Sequence, residues 1–297
     1  MKYIACADLH LRASKPILRT ETDFLSVCLD KVKQIVDLAN EHEADILIAG
    51  DLFHSCTVSY KVLNKFSDYL DYLSNRIIFV DGQHDRENHT NDFFNTPILS
   101  LTTMGCGSRL FLRNDRYGNT FDSIYGTSWK DEIPKIEADI LLVHKCVTPS
   151  KPPFFLKDAV SAKEMLKTYP NFKYIVTGDY HESFMTEYKG RFLINPGSMT
   201  RMKIDQIDHE PSVYLIDTNK EKVERIKLKV KPAEEVFNLD KSESDKDFKK
   251  FQDEIKELIE SLKIKARNPK YKHILEQVIQ QSRASKSVQK IIKESMK

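Results

Sequence analysis

The chain has 297 residues, 40% hydrophobic and 30% charged, with a formal net charge of +2. That length supports one large domain or one domain with an appendage, and the near-balanced charge singles out no partner. No apolar run approaches the about 18 residues of a membrane-spanning helix, and Met1 to Ala7 meets Asp8 too soon to be expected as a signal peptide. Tyr3 to Ala7 reads as a first buried strand, ending at Asp8-Leu9-His10. Thr22 to Glu43 carries Phe24, Leu25, Cys28, Leu29, Val32, Ile35, Val36 and Leu38 at helical spacing, with Thr22 or Asp23 available as a cap. Asp45 to Ala49 is a short strand, and its run Ile46 to Ala49 has no polar alternation, the mark of burial on both faces. Gly50-Asp51 follows it. Val58 to Leu73 returns to helical spacing, and Arg76 to Val80 is a third strand, followed by Asp81-Gly82-Gln83-His84-Asp85. Strand, helix, strand, helix, strand predicts an α/β fold with a mostly parallel sheet.

The middle of the chain is richer in strands. Arg109 to Leu112 and Thr120 to Tyr125 read as strands around a turn at Asn114 to Asn119. Asp139 to Val143 is an apolar strand ending in His144, and Ala162 to Thr168 a short helix. Tyr174 to Thr177 ends in Gly178-Asp179-Tyr180-His181. Phe184 to Tyr188, Phe192 to Ile194, Ser212 to Asp217 and Val223 to Val230 complete a second set, with a tight turn at Asn195-Pro196-Gly197-Ser198. The character changes near Pro232, which divides a body of residues 1–232 from a segment of residues 233–297. Ser242 to Asp247 reads as a linker. Amphipathic helices are expected around Phe248 to Leu262, Tyr271 to Ile279 and Val288 to Ile292, the first broken by Asn268-Pro269. From Asp245 to Lys297 there are 14 Lys and Arg against 8 Asp and Glu, while the remaining residues hold 32 against 36. Such a basic tail suits a polyanion or an acidic protein surface, and equally a solvated helical face. The five cysteines (Cys6, Cys28, Cys56, Cys106, Cys146) are scattered. They suggest free thiols, a reducing compartment and a cytoplasmic protein.

Five strand ends terminate in metal-ligating residue types: Asp8-x-His10, Gly50-Asp51, Gly82-Gln83-His84-Asp85, His144, and Gly178-Asp179-x-His181. Strand carboxyl ends are where open α/β sheets hold ligands. A carboxylate has two oxygens, so Asp51 can bridge two ions; a lone strand-Gly-Asp can also be a turn that caps a helix. Oxygen and imidazole donors without a thiolate point to manganese, iron or zinc.

In this order the motifs resemble those of the calcineurin-like metallophosphoesterases. Ala7-Asp8-Leu9-His10, Gly50-Asp51-Leu52-Phe53, Asn195-Pro196-Gly197-Ser198 and His209-Glu210-Pro211-Ser212-Val213-Tyr214 look most like the SbcD-type nuclease subunit, over roughly residues 1–230. The resemblance implies a two-sheet β-sandwich flanked by helices, here with a small helical C-terminal appendage. It implies two divalent ions: one held by Asp8, His10 and His181, the other by Gln83, His144 and Asp179, with Asp51 bridging them. His84 would act beside the leaving group, oriented by Asp85. Two positions depart from the pattern: Gln83 stands where the family has Asn, and Asp179 where it has His. Both donors still ligate, and the added charge favours Mn2+ or Mg2+ over zinc. The function implied is that of a DNA exonuclease and endonuclease at DNA ends. It would work with an SbcC/Rad50-type coiled-coil ATPase, as a homodimer, with no membrane contact. The compact tail would suit a phage-encoded version in the host cytoplasm. A small-molecule phosphodiesterase or phosphatase with the same metals is the alternative, as is a scaffold with a degenerate second site.

Overall fold

A computed structural model of the chain describes residues 1–86, 96–103, 110–112, 120–121, 123–153, 156, 158–203 and 206–238. The chain divides into a unit Met1–Phe237 and a second, Asn238–Lys297. The helices expected after Phe248, the linker at Ser242 to Asp247, Cys106 and Arg109 lie outside the described residues.

In chain order the elements are β1 (Lys2–Cys6), α1 (Phe24–His42), β2 (Asp45–Ala49), α2 (Tyr60–Tyr72), β3 (Ile77–Val80), α3 (Pro97–Thr103), β4 (Leu110–Leu112), β5 (Thr120–Phe121) and β6 (Ile124–Thr127). There follow β7 (Ile140–His144), β8 (Val147–Thr148), β9 (Val160–Ser161), α4 (Ala162–Thr168), β10 (Tyr174–Gly178), β11 (Phe184–Tyr188), β12 (Arg191–Asn195), β13 (Ser212–Asp217), β14 (Lys222–Lys227) and α5 (Ala233–Val236). They build two six-stranded sheets, ordered β14-β13-β1-β2-β3-β4 and β11-β12-β10-β7-β6-β5. This is the expected mixed α/β sandwich flanked by helices. One expectation is corrected: Thr120 to Tyr125 is not one strand. β5 and β6 pair antiparallel, and Ser123 turns the chain between them at φ 64°. No helix among the described residues is long and apolar enough to cross a membrane.

The sandwich follows from period-two patterning in strands buried on both faces. Tyr3 and Ala5 of β1, Leu47 and Ala49 of β2, and Ile78 and Val80 of β3 face Ile140 and Leu142 of β7 and Tyr174 and Val176 of β10 in the core between the sheets. The alternate residues Ile4, Cys6, Ile46, Ile48, Ile77 and Phe79 pack outward against Val32, Ile35 and Val36 of α1 and Phe66 and Leu70 of α2. Leu141, Val143, Ile175 and Leu193 do the same against Met165 and Leu166 of α4. Each fully buried Val, Leu, Ile, Phe or Met among them contributes about 1.5–3 kcal/mol. α1 starts where Asp23 accepts a hydrogen bond from Ser26 N–H at 3.2 Å.

β1, β2, β3 and β4 run parallel in one sheet, and β6, β7, β10 and β12 in the other. The carboxyl ends of β1, β2, β3, β7 and β10 all carry the singled-out residues, and the topology gathers them at one end of the sandwich.

Candidate metal centre

The loops that leave β1 and β2 run side by side. Asp8 N–H donates to the Gly50 carbonyl at 3.1 Å, His10 N–H to Asp51 at 3.0 Å and Leu11 N–H to Leu52 at 2.9 Å. Four of the expected ligands have left-handed backbones: Asp8 at φ 50°, His10 at 45°, Asp51 at 51° and Asp179 at 80°. Each such residue costs on the order of 1–3 kcal/mol, and clusters of them mark functional sites. Two glycines make the close approach possible. A Cβ on Gly50, itself at φ +85°, would lie 2.2 Å from His144 Nδ1, and one on Gly82 would lie 2.1 Å from Asp51 Oδ1.

The structure brings together every residue that the motif pattern assigned to a metal. Asp51 is at the centre, 1% exposed. Its Oδ1 accepts the His84 N–H at 2.9 Å. Its Oδ2 is buried with no hydrogen-bond partner among the described residues. Three imidazole nitrogens surround that oxygen: His144 Nε2 at 3.6 Å, His10 Nε2 at 3.8 Å and His84 Nε2 at 4.0 Å. On one flank, Asp8 accepts the Asp179 N–H through both oxygens at 3.2 and 3.1 Å, and His10 Nε2 faces His181 Nε2 at 3.3 Å. On the other flank, Gln83 Nε2 donates to Asp179 Oδ1 at 2.8 Å, and Gln83 Oε1 faces His144 Nε2 at 2.7 Å. His144 Nδ1 lies 2.7 Å from the Ala49 carbonyl, so that nitrogen carries the proton. Its Nε2 and Gln83 Oε1 are then two acceptors aimed at each other. An unpartnered carboxylate oxygen and converging lone pairs are the donor set of a hard to borderline divalent cation.

Burial shapes the protonation of the same groups. It holds the Asp51 carboxyl well above the usual range, with the Asp85 charge adding to the effect. Burial likewise raises Asp8, and it lowers His10 well below its ordinary value. It pushes His181 down to about 4. At these four groups the anion or the imidazolium is disfavoured, and a divalent cation offsets the first while binding neutral imidazoles.

Asp85 does a different job from the one expected. Its buried carboxylate accepts the N–H groups of Leu52 at 3.2 Å, Phe53 at 2.9 Å and Gly82 at 3.0 Å. It ties the β2 and β3 loops together, and burial raises it to about 6. His84 is oriented instead by the His54 carbonyl, 3.0 Å from Nδ1, and by stacking on the His54 ring at 5.4 Å and 15°. The Asn195-Pro196-Gly197-Ser198 turn clamps the His181 loop. Asn195 Nδ2 donates to the carbonyls of Tyr180 at 2.6 Å and Glu182 at 2.8 Å, and Ser198 N–H donates to His181 at 3.0 Å.

Sequence reasoning passed over three residues near the centre. His54 stands three positions after Asp51, and one of its ring nitrogens lies within 4.8 Å of those of His10 and His84. Arg12 lies 2.7 Å from His54. Gln206 Nε2 lies 3.3 Å behind His181 Nδ1. The first two continue the ligand loops in sequence, and that continuation was the available signal.

The family model described as calcineurin-like phosphoesterase superfamily domain matches residues 1–221. No curated protein matches the chain. Among solved structures, the chain is similar to an archaeal phosphodiesterase at 15% identity, over 77% of this chain and 100% of that one, with a TM-score of 0.45. It is similar to a dimetal phosphatase from Danio rerio at 11% identity, over 72% and 91%, with a TM-score of 0.45. A putative 5′-nucleotidase from Staphylococcus aureus, solved with alpha-ketoglutarate, is 12% identical over 78% and 54%, with a TM-score of 0.44. With residues 1–221 inside the family model, the chain belongs to the calcineurin-like phosphoesterase superfamily, whose members are metal-dependent phosphoester hydrolases.

Proposed function

We propose that the chain is a two-metal phosphodiesterase acting on DNA, an exonuclease and endonuclease at DNA ends in recombination and repair. The observation that carries the two-metal reading is Asp51 Oδ2, a buried carboxylate oxygen without a hydrogen-bond partner among the described residues and ringed by three imidazoles. Asp8, His10 and His181 would hold one ion, and Gln83, His144 and Asp179 the other, with Asp51 shared; manganese suits this set best and magnesium next. When bound, two such ions lower the pKa of a water and neutralise charge on the phosphoryl group. The side chains of the chain do the rest. His84, with its Nδ1 proton held by the His54 carbonyl, takes a second proton on Nε2, the nitrogen nearer Asp51. From there it can protonate a departing sugar oxygen. Asp85 keeps the two loops that carry Asp51 and His84 in register.

Two features support DNA as substrate. The Asn195–Ser198 turn and the His209–Tyr214 run resemble the SbcD-type pattern, and in this chain His209 Nε2 lies 2.7 Å from the Ser198 carbonyl, joining the two segments. Residues 245–297 carry 14 cations against 8 anions, fit for DNA phosphates or for an SbcC/Rad50-type ATPase. We place the enzyme in the cytoplasm, as a homodimer with that ATPase. Charge also favours a second reading, a phosphodiesterase for small molecules: residues 1–244 hold 32 cations against 36 anions, a poor surface for a polyanion. The deciding experiment is manganese-dependent cleavage of linear duplex DNA by the wild type, Asp51→Ala and His84→Ala, alongside bis(p-nitrophenyl) phosphate. DNA cleavage lost in both variants supports the nuclease. Turnover of the chromogenic diester without DNA cleavage favours the second reading.

A further inference from the structure

Arg12 lies two residues beyond His10 and outside the ligand set. Loop register sets it beside His54: Leu11 N–H donates to the Leu52 carbonyl at 2.9 Å, and His54 N–H to the Leu11 carbonyl at 3.2 Å. Arg12 Nη1 then lies 2.7 Å from His54 Nε2. Two more guanidinium nitrogens, Nε and Nη2, donate to Ser14 Oγ at 3.0 and 2.8 Å, which fixes the orientation of the fork.

A guanidinium offers donors only, so His54 Nε2 accepts. The neutral ring therefore carries its proton on Nδ1. That nitrogen is buried and has no hydrogen-bond partner among the described residues. The His54 ring itself sits among imidazoles, with the His10 and His84 rings at 5.5 and 5.4 Å between centroids and one of its nitrogens within 4.8 Å of theirs. A ring nitrogen so placed has two possible uses. It can join His10 and His84 around a cation, or it can donate to an anionic oxygen. Arg12 separates the two. Its permanent charge repels a cation at this ring, and the proton it forces onto Nδ1 occupies the lone pair a metal needs.

We propose that Arg12 is a positioning residue that fixes His54 in its Nδ1–H tautomer, so that His54 donates a hydrogen bond to a phosphoryl oxygen of the substrate and does not ligate a metal. The role rests on the phosphodiesterase reading for its substrate, but not for the tautomer itself. Spectra of 15N-histidine in the full-length, metal-depleted chain read that tautomer without turnover. The expected signature for His54, assigned by its loss in His54→Gln, is a pyridine-like Nε2 and a pyrrole-like Nδ1. Inorganic phosphate added to the magnesium-loaded protein should shift the Nδ1 resonance. In Arg12→Ala the signature becomes a mixture of tautomers, and kcat on bis(p-nitrophenyl) phosphate falls about tenfold at nearly constant KM. Arg12→Lys keeps a donor and restores the tautomer together with part of kcat. His54→Gln leaves the manganese stoichiometry unchanged. A pyridine-like Nδ1 in the wild type, a lost manganese ion in His54→Gln, or recovery of kcat in Arg12→Lys without recovery of the tautomer overturns the assignment. If the wild type turns over no phosphodiester, the proposed function fails, while the tautomer, phosphate and stoichiometry measurements still decide the role of Arg12.

Discussion

The two flanks of Asp51 are organised by different means. Asp8 and His10 are placed by the backbone: their N–H groups bond to the neighbouring β2 loop, and Asp8 takes the Asp179 N–H. The other flank is organised by side chains, because Gln83 bonds to Asp179 at 2.8 Å and faces His144 at 2.7 Å. A cation entering the first flank has only to come between His10 Nε2 and His181 Nε2, 3.3 Å apart. A cation entering the second competes with the hydrogen bond between Gln83 and Asp179. The comparison implies tighter binding beside Asp8, His10 and His181, and weaker, more adjustable binding opposite.

The largest test of that contrast removes what the flanks share. Asp51→Ala is expected to weaken manganese at both flanks in a calorimetric titration and to lower turnover about a thousandfold or more. Weakening at one flank alone would show that Asp51 is not common to both. Asp179→Ala should remove one ion, keep the other, and lower turnover about a hundredfold; equal loss at both flanks would erase the distinction. Gly50→Ala drives a Cβ into His144 at a backbone φ of +85°. It is expected to cost about 2–3 kcal/mol in urea unfolding and to weaken the second flank selectively. The smallest effect belongs to Asn195→Ala, which removes two hydrogen bonds from the His181 loop. About 1–2 kcal/mol of stability should go with them, and the loss of metal affinity should fall on the first flank.

Much of this was legible in the chain because burial on both faces leaves a strong mark. Ile46 to Ala49 and Tyr174 to Val176 are unbroken by any charged residue, and both fill a core on either side of their sheet. The ligand set could be read because its residues sit directly at the ends of such strands. What was not legible depends on how one loop lies against another. Ser123 splits an apparent strand through a left-handed turn that no glycine announces. Asp85 looked like a partner for its neighbour His84, but a carboxylate able to reach three loose amides goes to them. Arg12 and His54 are 42 positions apart in sequence and meet only through the pairing of Leu11 with Phe53.

The candidate metal centre also spans the seam of the sandwich. Asp8, His10, Asp51 and Gln83 belong to loops of one sheet, whereas His144, Asp179 and His181 belong to the other. Any ion held jointly by Asp8 and His181, or by Gln83 and His144, is therefore a cross-link between layers that are otherwise joined mainly by apolar contact. Chelation should unfasten that edge first, and the supply of divalent metal would set how readily the sandwich parts, much as a clasp sets how readily a book opens.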